Sequence, residues 1–175
     1  MKRILVVGGT KGIGKAIVDE LVENNSITCL SRNSTDFSHQ NYTHVEFDAT
    51  KEEYPDLESL DTLIYCPGTI NLKPISTLSI DDFRNDFEIN VIGAVKAIKK
   101  YLPILKKANH PSVLLFSTVA TKLGMPYHAS VSVAKSGVDG LVKTLGAELA
   151  PKIRINAIAP TITKTDLASK ILRNE

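Results

Sequence analysis

Arg3-Ile4-Leu5-Val6-Val7 runs straight into Gly8-Gly9-Thr10-Lys11-Gly12-Ile13-Gly14, and an apolar stripe follows at Ile13, Ile17, Val18, Leu21 and Val22. The first five residues form a near-continuous apolar run, the pattern of a strand covered on both faces. The stripe has helical spacing. Between them lies a glycine loop with the pattern G-x-x-x-G-x-G. Glycines permit a tight turn and close approach of the backbone to a ligand. The helix that follows presents unpaired N–H groups and the positive end of its dipole, which suits a pyrophosphate. Turns use glycine for other reasons too. The order strand, loop, helix is what favours phosphate binding here.

The same alternation continues along the chain. Strands are expected near Arg3–Val7, Ile27–Leu30, Thr43–Phe47, Thr62–Cys66, Ser112–Ser117 and Arg154–Ile158. Ser79 is placed as an N-cap with Asp82 three residues on. Val138, Leu141, Val142, Leu145 and Leu149 mark another helical stripe. The connections Asn33 to Asn41 and Ala49 to Asp61 leave room for a turn of helix at most. Strand–helix alternation with right-handed crossovers predicts a doubly wound parallel α/β sheet with helices on both faces. No linker, repeat or low-complexity stretch divides the chain, so one domain is expected over residues 1–175.

Composition narrows the function classes. The chain has 175 residues, 43% hydrophobic, 23% charged and 6% aromatic, with 21 basic against 19 acidic residues. A net charge of +2 without clustered bases and aromatics argues against nucleic-acid binding. The abundance of Val, Ile and Leu argues against disorder. No apolar run approaches the roughly 20 residues that span a bilayer. The apolar stretch Ile4 to Val7 is shorter than the ~7–15 residues of a secretory h-region. No membrane partner and a cytoplasmic location are therefore expected. Cys29 and Cys66 sit in apolar runs without metal spacing and read as buried free thiols. Asp81, Asp82 and Asp86 fit dipole stabilisation at a helix start better than a metal site, so no metal is expected. Lys96, Lys99, Lys100, Lys106 and Lys107 form a solvated helix face.

Beyond the glycine loop, five further segments in chain order resemble the short-chain dehydrogenase/reductase family. They are Asp48-Ala49, Asp86-Phe87-Glu88-Ile89-Asn90-Val91, Val113-Leu114-Leu115-Phe116-Ser117-Thr118, Ala134-Lys135-Ser136-Gly137 and Arg154-Ile155-Asn156-Ala157-Ile158-Ala159-Pro160. The resemblance implies a Rossmann fold, a nicotinamide dinucleotide and hydride transfer to or from a small carbonyl or alcohol substrate. It would lay the cofactor along Gly8, Thr10, Lys11, Gly12, Ile13, Gly14, Arg32, Asp48, Ala49, Cys66, Gly68, Asn90 and Lys135 to Pro160 and Ile162. The second strand ends Cys29-Leu30-Ser31-Arg32-Asn33, without the acid that binds the ribose 2′-OH of NAD. Arg32 offers a planar fork to a 2′-phosphate, and Lys11 can approach the same group. NADP (NADPH) is therefore expected ahead of NAD.

The resemblance also implies a catalytic set, with one gap. Lys135 matches the family's lysine and Asn90 its asparagine. Thr118 falls at the serine position, with Ser117 beside it. Four residues before Lys135, where the family has tyrosine, stands Val131, which has no proton to give. His128, one turn earlier, and Tyr127 are candidates to replace it; a polar loop role is the alternative for His128. Pro67 stands where a backbone donor is usual, while Gly68 keeps close approach possible. Two outcomes stay open: an oxidoreductase using another acid, or a catalytically silent NADP-binding or regulatory protein. The family's substrate-covering segment would follow Thr165, so the chain is either part of a longer product or a short variant. Helices around Asp86–Leu102 and Ser130–Ala150 correspond to those forming subunit contacts in the family, which implies a homodimer or homotetramer.

Overall fold

A computed structural model describes residues 1–168. Six strands form one parallel sheet: β1 Arg3–Val7, β2 Ser26–Ser31, β3 Tyr42–Glu46, β4 Thr62–Tyr65, β5 Ser112–Phe116 and β6 Arg154–Ile158. Their spatial order is β3-β2-β1-β4-β5-β6, and every neighbouring pair is parallel. The order reverses beside β1, the switch point at which doubly wound sheets bind ligands. All six expected strands are present, displaced by at most a residue or so at their ends. The doubly wound α/β architecture is borne out.

Period-2 alternation in β1 decides which residues face which layer. Ile4 and Val6 pack with Val18 of helix α1, Gly12–Leu21, and with its C-cap Val22. Leu5 and Val7 pack on the opposite face. There the cover is helix α3, Gly93–Leu105, and helix α5, Ala129–Leu149. Tyr101 and Leu105 of α3 and Val138 of α5 are buried in that layer. The two layers are unequal. The β2–β3 and β3–β4 connections contain no helix, as their lengths predict. Phe37 and Tyr42, in edge-to-face contact at 4.9 Å, help cover the α1 side.

Helix α2, Ile80–Phe87, starts on the expected cap. Ser79 Oγ accepts from the Asp82 N–H, and the Asp82 carboxylate accepts from the Ser79 N–H. This capping box satisfies two otherwise unpaired donors. Between α2 and α3 the helix widens into a π-helical turn, Glu88–Ile92. The Gly93 N–H reaches back to the Glu88 carbonyl, which leaves the Ile89 carbonyl to accept from Tyr65 Oη at 2.6 Å. A short helix α4, Ala120–Leu123, precedes α5.

Arg3 fixes the start of β1 against the loop before β4. Its backbone N–H and its guanidinium both donate to the Asp61 carboxylate, at 2.8 and 2.9 Å. No helix among the described residues is long and apolar enough to cross a membrane.

Candidate functional site

Two joined chambers open at the carboxyl ends of the strands. The larger, about 660 Å³, lies between the glycine loop and the ends of β2 and β3. The smaller, about 180 Å³, lies between the end of β5, the start of α5 and residues 160–168. Ile13, Cys66 and Gly68 border both.

The glycine loop is shaped by real constraints. Gly8 has φ 78° and Gly12 has φ 54°, a region that L side chains rarely adopt. A methyl group on Gly14 would collide with the carbonyl oxygen of Gly8. Helix α1 has no side-chain cap and no acidic residue in its first turn. Its leading N–H groups are thus left to a ligand. Lys11 and Arg32 stand exposed on the rim of the larger chamber. Asp48 and Ala49 line its far side. The Asp48 carboxylate accepts from the N–H and hydroxyl of Thr50, at 3.0 and 2.7 Å, and these bonds hold its pKa below the usual carboxylate value.

The junction is built on Gly68. A methyl group there would lie 3.2 Å from Asn90 Oδ1 and 3.3 Å from Lys135 Nζ. Asn90 sits in the π-helical turn and is buried. Its Nδ2 donates to the Asp86 carbonyl at 2.8 Å and to Thr69 Oγ1 at 3.0 Å. Its Oδ1 has no partner among the described residues. A buried acceptor left open beside an unblocked glycine is a place for a ligand or water donor.

Lys135 comes from the second turn of α5 and is 8% exposed. Its Nζ donates to the Phe116 carbonyl at 2.7 Å. Burial disfavours the ammonium and brings its pKa down to about 8; the Cys66 thiol and Asp139 oppose that shift. Cys66 is half-buried at the floor of both chambers rather than fully enclosed. Burial pushes its thiol up to about 12, so it stays protonated. Only Cys29 fits the expected fully buried thiol.

Thr118, His128, Val131, Pro160 and Ile162 all line the smaller chamber. Thr118 Oγ1 already accepts from the Ala120 N–H at 3.3 Å. Ser117 beside it is 3% exposed, and its hydroxyl has no partner among the described residues. His128 is the N-cap of α5, so the helix begins where the His128 reading requires. Its Nδ1 is 2.7 Å from the Pro126 carbonyl, which can only accept, so Nδ1 carries a hydrogen. Tyr127 is 60% exposed and lies outside the chamber lining; as a candidate acid it is corrected by its position. Thr165 closes over the glycine loop, its methyl group next to Gly12.

The π-helical turn, the open Ser117 hydroxyl and the closure by Thr165 were not foreseen from sequence. Gly93 marks the turn, because a side chain there would collide with Tyr65 Oη. The cradle at Gly14, the uncapped α1 and the open Asn90 Oδ1 fit a dinucleotide laid from the larger chamber into the smaller. Among the described residues no group of His, Cys, Asp and Glu is placed to hold a metal ion.

Comparison with known proteins gives the same picture. The family model described as short chain dehydrogenase matches residues 2–175. A 3alpha-hydroxysteroid dehydrogenase of Mediterraneibacter gnavus is 27% identical, covering 97% of this chain and 77% of that protein. The ligand-free aldohexose dehydrogenase of Thermoplasma acidophilum superposes with a TM-score of 0.89 at 26% identity, over 99% of this chain and 71% of that one. ElxO, solved with NADP bound, superposes at 0.88 with 27% identity, over 99% of this chain and 79% of that one.

Proposed function

Because the chain belongs to the short-chain dehydrogenase family, we propose that it is an NADP-dependent oxidoreductase of small carbonyl or alcohol substrates. The observation that carries this reading is the junction at Gly68, where Asn90 Oδ1 and Lys135 Nζ meet beside the glycine cradle. When bound, the nicotinamide would supply or accept the hydride. The uncapped α1 and the loop Gly8 to Gly14 would hold the pyrophosphate. Lys11 and Arg32, on the rim, would take the 2′-phosphate, and Asp48 the adenine amino group. Lys135 would hold the nicotinamide ribose, Asn90 a water beside it, and Pro160 and Ile162 the carboxamide end. Thr118 would orient the substrate oxygen, and His128 is a candidate proton donor at the chamber mouth.

A second reading is favoured by one observation. Val131, 6% exposed, occupies the chamber wall without a hydroxyl. A silent NADP-binding or regulatory protein would tolerate this. Lost acid–base catalysis costs roughly 10²–10⁴-fold in rate but leaves cofactor binding intact.

Calorimetric titration with NADPH and NADH tests the cofactor assignment. NADPH should bind at least tenfold more tightly than NADH, and Arg32→Ala should erase the difference; charge-assisted hydrogen bonds are worth about 1.5–3 kcal/mol. Equal binding of both cofactors would overturn it. Oxidation of NADPH in a ketone screen then separates reductase from silent binder. We also place the chain in a homodimer or homotetramer through the helices around Asp86–Leu102 and Ser130–Ala150, where Phe87 and Val133 are exposed; light scattering of the purified chain checks this.

A further inference from the structure

The gap at position 131 and the setting of Lys135 bear on each other. Helical side chains lean toward the helix N-terminus. The Lys135 stem therefore runs back over the turn that carries Val131, four residues earlier. Both residues line the smaller chamber. The valine ends in methyl groups, so from Val131 to Lys135 the titratable group that α5 offers the chamber lining is the Lys135 amine.

We propose that Lys135 itself hands the proton to the carbonyl oxygen during reduction, and takes it back during oxidation, in place of a tyrosine at position 131. This rests on the reductase reading of the same site. An ammonium has three N–H bonds. One is held by the Phe116 carbonyl at 2.7 Å. A second can hold the cofactor ribose, and the third is left for the substrate oxygen. Ser117, next to Phe116, adds a buried hydroxyl with no partner among the described residues. Together they make a pair of donors at the end of β5. No carboxylate hydrogen-bonds to the Lys135 amine among the described residues. The ionisable groups acting on it are Cys66 from the end of β4 and Asp139 from α5, and Asp139 is itself bonded to Thr121 of α4. His128, the N-cap of α5, lines the same chamber, and Asp86 of α2 is buried. A neutral amine is an acceptable product at this position, because burial already brings the ammonium to about 8.

The step balances. The carbonyl carbon gains a hydride from the reduced nicotinamide, the C=O π pair forms a new O–H bond, and a Lys135 N–H bond breaks. Water returns a proton to the amine afterwards. His128 is the competing donor: its Nδ1 hydrogen is held by the Pro126 carbonyl, which leaves Nε2 for proton transfer, and it caps the helix ahead of Val131.

The test uses the full chain, NADPH and 2,2,2-trifluoroacetophenone as probe ketone. In the wild type, kcat should fall tenfold per pH unit above about 8, and the 15N signal of the Lys135 amine should titrate with the same midpoint. Lys135→Arg keeps a charge and donors but cannot release a proton. With NADPH saturating, as its own binding isotherm defines, it should lose at least 100-fold in kcat. Turnover of Lys135→Arg within threefold of wild type would overturn the proposal. So would a flat wild-type profile, a break near pH 6.5 as for an ordinary imidazole, or NADPH binding without any ketone reduction. Absence of NADPH binding by the wild type would overturn the reductase reading as well, and the binding isotherm tells the two failures apart.

Discussion

Gly14 and Lys135 show how single residues set the site. A side chain at Gly14 meets backbone, not a flexible tip, because the Gly8 carbonyl oxygen stands in the way. Gly14→Ala must move the loop off the start of α1; we expect a cost of ~3 kcal/mol, the upper range for overpacking, and loss of NADPH binding. Chemical denaturation and titration of the variant check both. Lys135 makes stability depend on pH. Its folded value of about 8 lies below its ordinary 10.5, so between those values the unfolded chain binds a proton that the folded chain does not. Stability contributed by this group therefore rises with pH across that window, by roughly 3 kcal/mol in total. The cost of burying the ammonium is fully present below pH 8. Lys135→Met lacks the titration, so the stability difference between wild type and variant should move in favour of wild type from pH 7 to pH 10. A constant difference would show that the amine is not held in a desolvated state.

At the scale of elements, the helix from Ile80 to Leu105 carries two separable devices. The capping box at Ser79 and Asp82 anchors its exposed start, and Lys73 and Asn71 also bond to the Asp82 carboxylate. Together these bonds hold that carboxylate well below the ordinary range. Ser79→Ala should cost about 1 kcal/mol and leave cofactor affinity unchanged, which thermal unfolding and titration can show. The π-helical turn, Glu88–Ile92, follows directly on α2. It frees the Ile89 carbonyl for Tyr65 and sets Asn90 behind Gly68. Gly93→Ala would drive the Tyr65 hydroxyl out of that bond. We expect destabilisation of ~2 kcal/mol from overpacking together with weaker NADPH binding, since Asn90 moves with the turn. A destabilised variant with unaltered affinity would detach the turn from the site. The capping box was legible in Ser79-x-x-Asp82, because a cap is a local pattern. The π turn was not, because its cause is the Tyr65 hydroxyl arriving from another strand.

For the whole molecule, the sheet order sets two chambers side by side at one edge of the strands. A ligand that spans them ties the glycine loop, the β4 end and residues 160–168 together, and binds only the folded chain. NADPH at a hundredfold its Kd should add about 2.7 kcal/mol, a rise in Tm of about 5–10 °C for a chain of this size. NADH at the same concentration should give a smaller rise. Differential scanning fluorimetry reads this directly; equal rises would remove Arg32 and Lys11 from cofactor selection.

Much of this was carried by local chemistry. Apolar runs bounded by glycine mark parallel strands, because a strand buried on both faces has few polar positions. The loop Gly8 to Gly14 marks the cradle, because φ 78° at Gly8 favours glycine and the space beside the Gly8 carbonyl excludes a side chain at Gly14. The positions of Asn90, Thr118, Val131 and Lys135 followed from the family resemblance of the segments that carry them. What those residues do to one another depended on contacts far apart in the chain. Phe116 of β5 takes a hydrogen bond from Lys135 of α5. Gly68 leaves open the space that Lys135 Nζ and Asn90 Oδ1 both border. Tyr127 and His128 are neighbours in sequence, but one turns outward and the other lines the chamber. Sequence spacing places residues on an element; packing of elements decides which atoms are buried, which donors stay unpaired and where a proton can be held.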